Sequence, residues 1–199
     1  MPDELPPYAV LALHEVGDYD AWKAGFDANE ANRVASGMLG HHLQRAEDNP
    51  NLVGIYMPVG DIEAAKAFAS SPNLHEVMKK AGVITETEFV WMIPKRNAAI
   101  LDRDLPGMIV QHSVADFDTW LSAYDATDGL RTANGIVGHA ANQLMDDPSG
   151  VVVYHQAESF DTLRAFLALP ELHAAMEAAG ATSAPEANFY TGGSAKSYG

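Results

Sequence analysis

The chain has no cysteine. That excludes disulfides, thiolate-bound metals and cysteine nucleophiles. Positive charge is scarce: 12 Lys and Arg stand against 27 Asp and Glu, for a net charge of −15. Nucleic-acid backbones are bound by clustered cations, and anionic membrane surfaces by polybasic segments. Neither partner is expected, and the acidic excess reads as a solubilising surface. Long apolar runs are missing too, so no segment is suited to span a bilayer. The opening Met1-Pro-Asp-Glu-Leu-Pro-Pro7 lacks the basic start and apolar core of a signal peptide. A cytoplasmic protein is the expectation. The sequence shows no His-Glu-x-x-His pattern, Ser-His-Asp order or Gly-rich phosphate loop. No metal and no cofactor are therefore expected.

What the chain has is a duplication. His14-Glu-Val-Gly-Asp-Tyr-Asp-Ala-Trp22 reappears as His112-Ser-Val-Ala-Asp-Phe-Asp-Thr-Trp120, an offset of 98 positions. The offset continues without a gap. Arg33 meets Arg131, Gly40-His41 meets Gly138-His139, Tyr56 meets Tyr154, and Pro72 and His75 meet Pro170 and His173. A period this long signals a duplicated domain rather than a solenoid repeat. The boundaries drawn from it are a first unit at 1–93, a linker at 94–106, a second unit at 107–192 and a tail at 193–199. The tail is expected to be frayed or draped over a neighbour.

Within each half the patterning predicts strand, helix, strand, strand, helix, strand. Apolar strands open the halves at Tyr8 and Met108. Asp18 and Asp116 then stand where helix N-caps belong, with Asp20 and Asp118 in the first turn. Tyr19, Trp22 and Phe26 follow at helical spacing, as do Phe117, Trp120 and Tyr124. Gly37 and Gly135 suit the left-handed position past the helix end. Asp61 and Ser159 cap the next helices, which Pro72 and Pro170 should kink or break. This order is the ferredoxin-like βαββαβ unit of an α+β protein. Its four-stranded sheet leaves one face uncovered by helices, and a second copy is the obvious cover. Two tandem units forming one intrachain barrel is the predicted architecture.

The run His-x-Val-x-Asp-[Tyr/Phe]-Asp-x-Trp, with Asp27, Arg33 and Gly37, then Asp48-x-Pro50 and Phe68-x-x-x-Pro72-x-Leu74, resembles the dimeric α/β-barrel superfamily. The match is to small bacterial proteins of the antibiotic-biosynthesis-monooxygenase-like and cyclase-like kind, and it covers both halves. The resemblance implies two ferredoxin-like units packed sheet to sheet, here within one chain. It also implies a small-molecule-binding protein, such as a cofactor-independent monooxygenase or cyclase-like enzyme acting on an apolar aromatic metabolite. A non-catalytic ligand-binding or stress-related protein is the second expectation. A haem-binding protein using a strand histidine is the third. Pairing of two fused chains into a homodimer is compatible with the sequence.

Histidine, the side chain that titrates near neutrality, supplies the candidate chemistry. His14 and His112 end the first strands, where each could hold the loop that follows or line a pocket. His41 and His139 follow strand glycines that mark a bulge or a close approach by another group. Both are assigned catalytic roles together with Tyr56 and Tyr154, whose mid-strand hydroxyls require partners or a ligand when buried. A pocket of Tyr and His on apolar walls would suit a phenol or quinol. Arg33 and Arg131 fall on the aromatic stripe of the first helix, for an ion pair or for an anion. Ligand-binding roles go to His14, His112, His155, Arg33 and Arg131. His155 replaces Met57 of the first copy, so the two pockets should have diverged. The second half is expected to have the more open and polar one, with Tyr154 rather than His155 pointing inward.

Overall fold

A computed structural model of the chain describes residues 5–198. Residues 1–4, on which the reading of the N-terminus largely rests, and Gly199 lie outside the described residues. The chain divides into two compact units, residues 1–92 with 193–199, and residues 93–192.

The first unit runs β1 (Tyr8–Glu15), α1 (Tyr19–Ala28), α2 (Glu30–Ala35), β2 (Gly40–Ala46), β3 (Leu52–Val59), α3 (Ile62–Ala69), α4 (Pro72–Lys80) and the start of β4 (Glu88–Asn97). The antiparallel sheet has the order β2–β3–β1–β4, which is the ferredoxin-like arrangement. Asp18, Asp61 and Ser71 accept from the backbone N–H three residues on, at 2.8, 3.0 and 3.2 Å. Pro72 sits in the first turn of α4, where its missing N–H costs nothing. Of the expected kink or break, the chain takes the break, between two separate helices. A second break separates α1 from α2 at Asn29.

The second unit repeats this with β5 (Gly107–Ser113), α5 (Phe117–Ala126), α6 (Asp128–Ala133), β6 (Ile136–Leu144), β7 (Gly150–Ala157), α7 (Phe160–Leu167), α8 (Pro170–Ala178) and β8 (Glu186–Thr191). Its strand order is β6–β7–β5–β8. Alternation along the strands puts one set of residues under the helices. In the first unit Val10, Ala12, Val53, Ile55 and Met57 join Trp22 there. In the second, Val151, Val153 and Trp120 do the same.

Each unit receives one further strand-like segment on the outer side of its β2-type strand. In the first unit the tail forms β9 (Ala195–Ser197), antiparallel to β2, with His41 opposite Lys196. In the second unit His139 and Ala98 exchange backbone hydrogen bonds at 2.7 and 3.3 Å. Lys196 and Ala98 are themselves related by the 98-residue offset, so the duplication extends through the tail. Close approach explains the strand glycines: a Cβ at Gly40 would lie 2.6 Å from the Lys196 carbonyl oxygen, and one at Gly138 would be 3.2 Å from the Ile100 nitrogen. No helix among the described residues is long and apolar enough to cross a membrane.

Candidate functional site

Each unit holds a cavity between its helices and the face of the sheet they cover, of about 60 Å³ in both. The equal volumes differ from the expectation of one more open half. The divergence lies in the lining instead.

In the second unit the cavity is walled by β5, α5, α6, β7, α7 and α8, and His112, His155, Arg131 and Tyr124 all face it. His112 lies on β5 with its ring against Trp120. Neither of its ring nitrogens has a partner among the described residues. His155 on β7 packs on Phe166 and Tyr124, and its Nδ1 has no partner there either. Burial pushes the His112 pKa down to about 4. Burial, with the Arg131 charge added, takes His155 to about 3. Both imidazoles are neutral at pH 7. Arg131 is 4% exposed. Its guanidinium lies 4.0 Å over the Tyr124 ring and donates to the Tyr124 carbonyl at 2.9 Å and to Asp128 at 3.2 Å. Its Nε–H is left over. Unpartnered buried nitrogens normally cost stability, and here they surround one cavity.

Behind this wall lies a chain of polar contacts. Tyr124 Oη is 2.8 Å from His139 Nδ1, and His139 Nε2 is 3.5 Å from Asp128. Burial also lowers the His139 pKa and raises that of Tyr124. The neutral imidazole therefore accepts the phenol proton at Nδ1 and turns Nε2–H toward Asp128. Sequence reasoning missed Tyr124 and Asp128. Tyr124 occupies a core position of the aromatic stripe, and Asp128 looks like an exposed helix start.

In the first unit the cavity is faced by His14 and Arg33, with Met57 where the second has His155. His14 is 3% exposed, has its pKa lowered by burial to about 4, and lies 3.2 Å from Thr87 Oγ1. The counterpart of Thr87 is Pro185, which offers His112 no hydroxyl. Arg33 is 3% exposed and lies 3.6 Å over the Phe26 ring. It donates to the Phe26 carbonyl at 2.6 Å and to Tyr198 Oη at 2.8 Å. The ion pair expected of both arginines is formed by Arg131. Arg33 has none among the described residues: its Nε and Nη1 donate to Tyr198 and to a helix-end carbonyl, and its Nη2 is buried without a partner. His41 lies outside the cavity lining, 2.7 Å from Tyr198 Oη, and burial lowers its pKa to about 4.

Tyr56 and Tyr154 do not join these groups. Alternation on β3 and β7 puts them on the sheet face away from the helices, and the Tyr154 ring packs over Gly107. Burial raises the Tyr56 pKa to about 12. The cavity lies under the helices, so it is His155 and not Tyr154 that reaches it.

No family model matches the sequence, and no curated protein matches it. Solved structures do. An anthrone oxidase-like protein is 15% identical, with 98% of this chain and 95% of that one covered and a TM-score of 0.66. A chlorite dismutase variant from Candidatus Nitrospira defluvii is 12% identical over 96% and 92%, with a TM-score of 0.57. A ferredoxin-fold protein related to antibiotic biosynthesis monooxygenases, from Listeria monocytogenes, is 9% identical over 94% and 95%, with a TM-score of 0.56. At these identities the likeness is one of fold. The fold is that of two tandem ferredoxin-like units, as the sequence patterning predicted.

Proposed function

We propose that the protein binds an apolar aromatic metabolite in the cavity of its second unit and oxygenates it without a cofactor. The observation behind this is the set of buried, unpartnered nitrogens of His112, His155 and Arg131 around one cavity. A hydroxylated ring would satisfy them: neutral imidazoles accept its O–H, and Arg131 stabilises the negative charge left when that proton departs. The Tyr124–His139–Asp128 chain offers a route for the proton. An electron-rich phenolate shielded from water can then reduce dioxygen: one oxygen atom enters the ring as a carbonyl, and the other leaves as water with two hydrogens and two electrons from the substrate itself. About 60 Å³ is well below the roughly 300 Å³ at which small-ligand pockets begin, so the cavity must open. The helix to move is α8, which has no buried residue and no side-chain N-cap.

Oxygen uptake by the purified protein with anthrone as substrate tests this. Uptake that falls at least about tenfold in Arg131→Ala is expected. Absence of uptake, or uptake that ignores Arg131, would overturn the catalytic reading. A second reading, binding without turnover, is favoured by the weak basicity of His155, with its pKa of about 3. Saturable anthrone binding without oxygen uptake would support that reading.

A further inference from the structure

The first unit carries a larger concavity, about 730 Å³, bounded by α3, α4, residues 83–87 and the start of β4. Small-ligand pockets span about 300–1,000 Å³. The floor is aromatic. Phe89 and Trp91 stand on the helix side of β4 with ring centroids 6.2 Å apart and planes within 23° of parallel, and neither is fully buried. The rim is cationic. Lys66 on α3 places its Nζ 5.7 Å from the Trp91 ring centroid, and Lys79 lines the groove from α4. Neither lysine has an ion-pair partner among the described residues. A chain with 12 basic residues against 27 acidic ones has few cations to spare, yet two without an ion-pair partner line this groove beside two half-buried rings. His75 also lines the groove, and Glu86 is its one carboxylate.

The duplicated half supplies a comparison. At the positions of Lys79, Phe89 and Trp91 the second unit has Glu177, Ala187 and Phe189. Its counterpart of Lys66 is Arg164, which lies 5.0 Å over Phe189. The pairing of two cations with two stacked rings belongs to the first copy. Met78 and Thr87 line both the groove and the internal cavity beside His14, so the two spaces adjoin.

We propose that this groove is a binding site for a small aromatic carboxylate. The ring lies against Trp91 and Phe89, and the carboxylate sits between Lys66 and Lys79. Stacking alone would admit any aromatic, and the lysines alone any anion. Only a molecule with both features meets floor and rim together. In a chain this acidic the long-range field repels anions, so local pairing must provide the attraction.

Calorimetric titration of the full chain with 2-naphthoate and with its neutral analogue 2-naphthamide tests the site. Saturable one-to-one binding of naphthoate is expected, with the amide at least about tenfold weaker. Lys79→Glu, which installs the residue of the second copy at an exposed position, should weaken naphthoate by a similar factor. Trp91→Leu should do likewise, with an unchanged circular dichroism spectrum. Arg103→Ala, at an exposed ion pair of the other unit that lines neither site, should leave the affinity within about twofold. Absence of naphthoate binding, equal affinity for the amide, or indifference to Lys79→Glu would each overturn the proposal. Oxygen uptake with anthrone reads the second unit and should be unchanged in Lys79→Glu, so the two proposals fail separately.

Discussion

The phenol of Tyr198 lies 2.7 Å from His41 Nδ1 and accepts from Arg33 Nε at 2.8 Å. A residue from the end of the chain thus completes the polar core of the first unit. The second unit solves the same problem differently. His139 takes its hydroxyl from Tyr124 on the helix, where the first unit has Phe26, and the counterpart of Tyr198 is Ile100. One hydroxyl per unit is kept, delivered by the tail in the first and by α5 in the second.

Tyr198→Phe should therefore leave the Arg33 Nε–H buried and unsatisfied, at a cost of about 1–3 kcal/mol. Urea denaturation would measure it. Adding Phe26→Tyr, which copies the second unit, should recover much of the loss at His41. An unchanged midpoint in Tyr198→Phe would mean that the tail does not hold the arginine.

Acid should destabilise the protein well above the range of ordinary carboxylates. Burial lowers the pKa of His14, His41 and His112 to about 4 and that of His155 to about 3. The unfolded chain protonates these groups near 6.5. The sign follows: their neutral forms are favoured by folding, the contribution is complete above pH 6.5, and it declines as the pH falls toward 4. Each histidine adds up to about 1.4 kcal/mol per pH unit to that decline. Urea midpoints measured from pH 7 to 4.5 should fall with a slope of more than one proton. His112→Phe should flatten it by about one proton. A flat profile between pH 7 and 5 would contradict the neutral assignment of these rings.

Much of the architecture was legible because it rests on local chemistry repeated twice. Asp18, Asp61, Asp116 and Ser159 cap helices as expected, and Gly37 and Gly135 adopt a φ of +78° past the helix ends. The site was less legible. Strand alternation said that Tyr154 and His155 face opposite ways, but not which face would hold a cavity. Arg33 and Arg131 fall on the aromatic stripe, and Arg131 forms the expected ion pair with Asp128, but Arg33 is held by a helix-end carbonyl and a tail residue 165 positions away. Contacts of that span leave no periodic trace. The short polar tail reads as frayed or draped over a neighbour; its pairing with β2 has its counterpart only in the segment at residues 98–100.

Gly40 gives a second measure of that docking. A Cβ there would press on the Lys196 carbonyl, which is backbone and cannot swing aside. Gly40→Ala should cost about 1–3 kcal/mol through strain or loss of β9. If β9 detaches, Tyr198 leaves with it. The double variant Gly40→Ala with Tyr198→Phe should then be less destabilised than the two single losses together. Additive losses would separate the strand from the phenol.

The sharpest test of the second cavity is the residue that the first already has in its place. His155 is buried with an unpartnered Nδ1, and its counterpart Met57 sits in the apolar core of the first unit. His155→Met should therefore stabilise the protein, by roughly 1 kcal/mol, because an unsatisfied polar group is exchanged for an adaptable thioether that Val153 and Phe166 can pack against. If the imidazole were there only for structure, ligand binding would be unaffected. If it is retained for a ligand hydroxyl, the more stable variant should bind anthrone at least about tenfold more weakly, the stability–function trade-off expected of a site held in an unfavourable state. Thermal denaturation and a binding titration on the same preparation read both quantities. A variant less stable than the parent would show that Nδ1 has a structural partner, such as a buried water, and would remove His155 from the binding site.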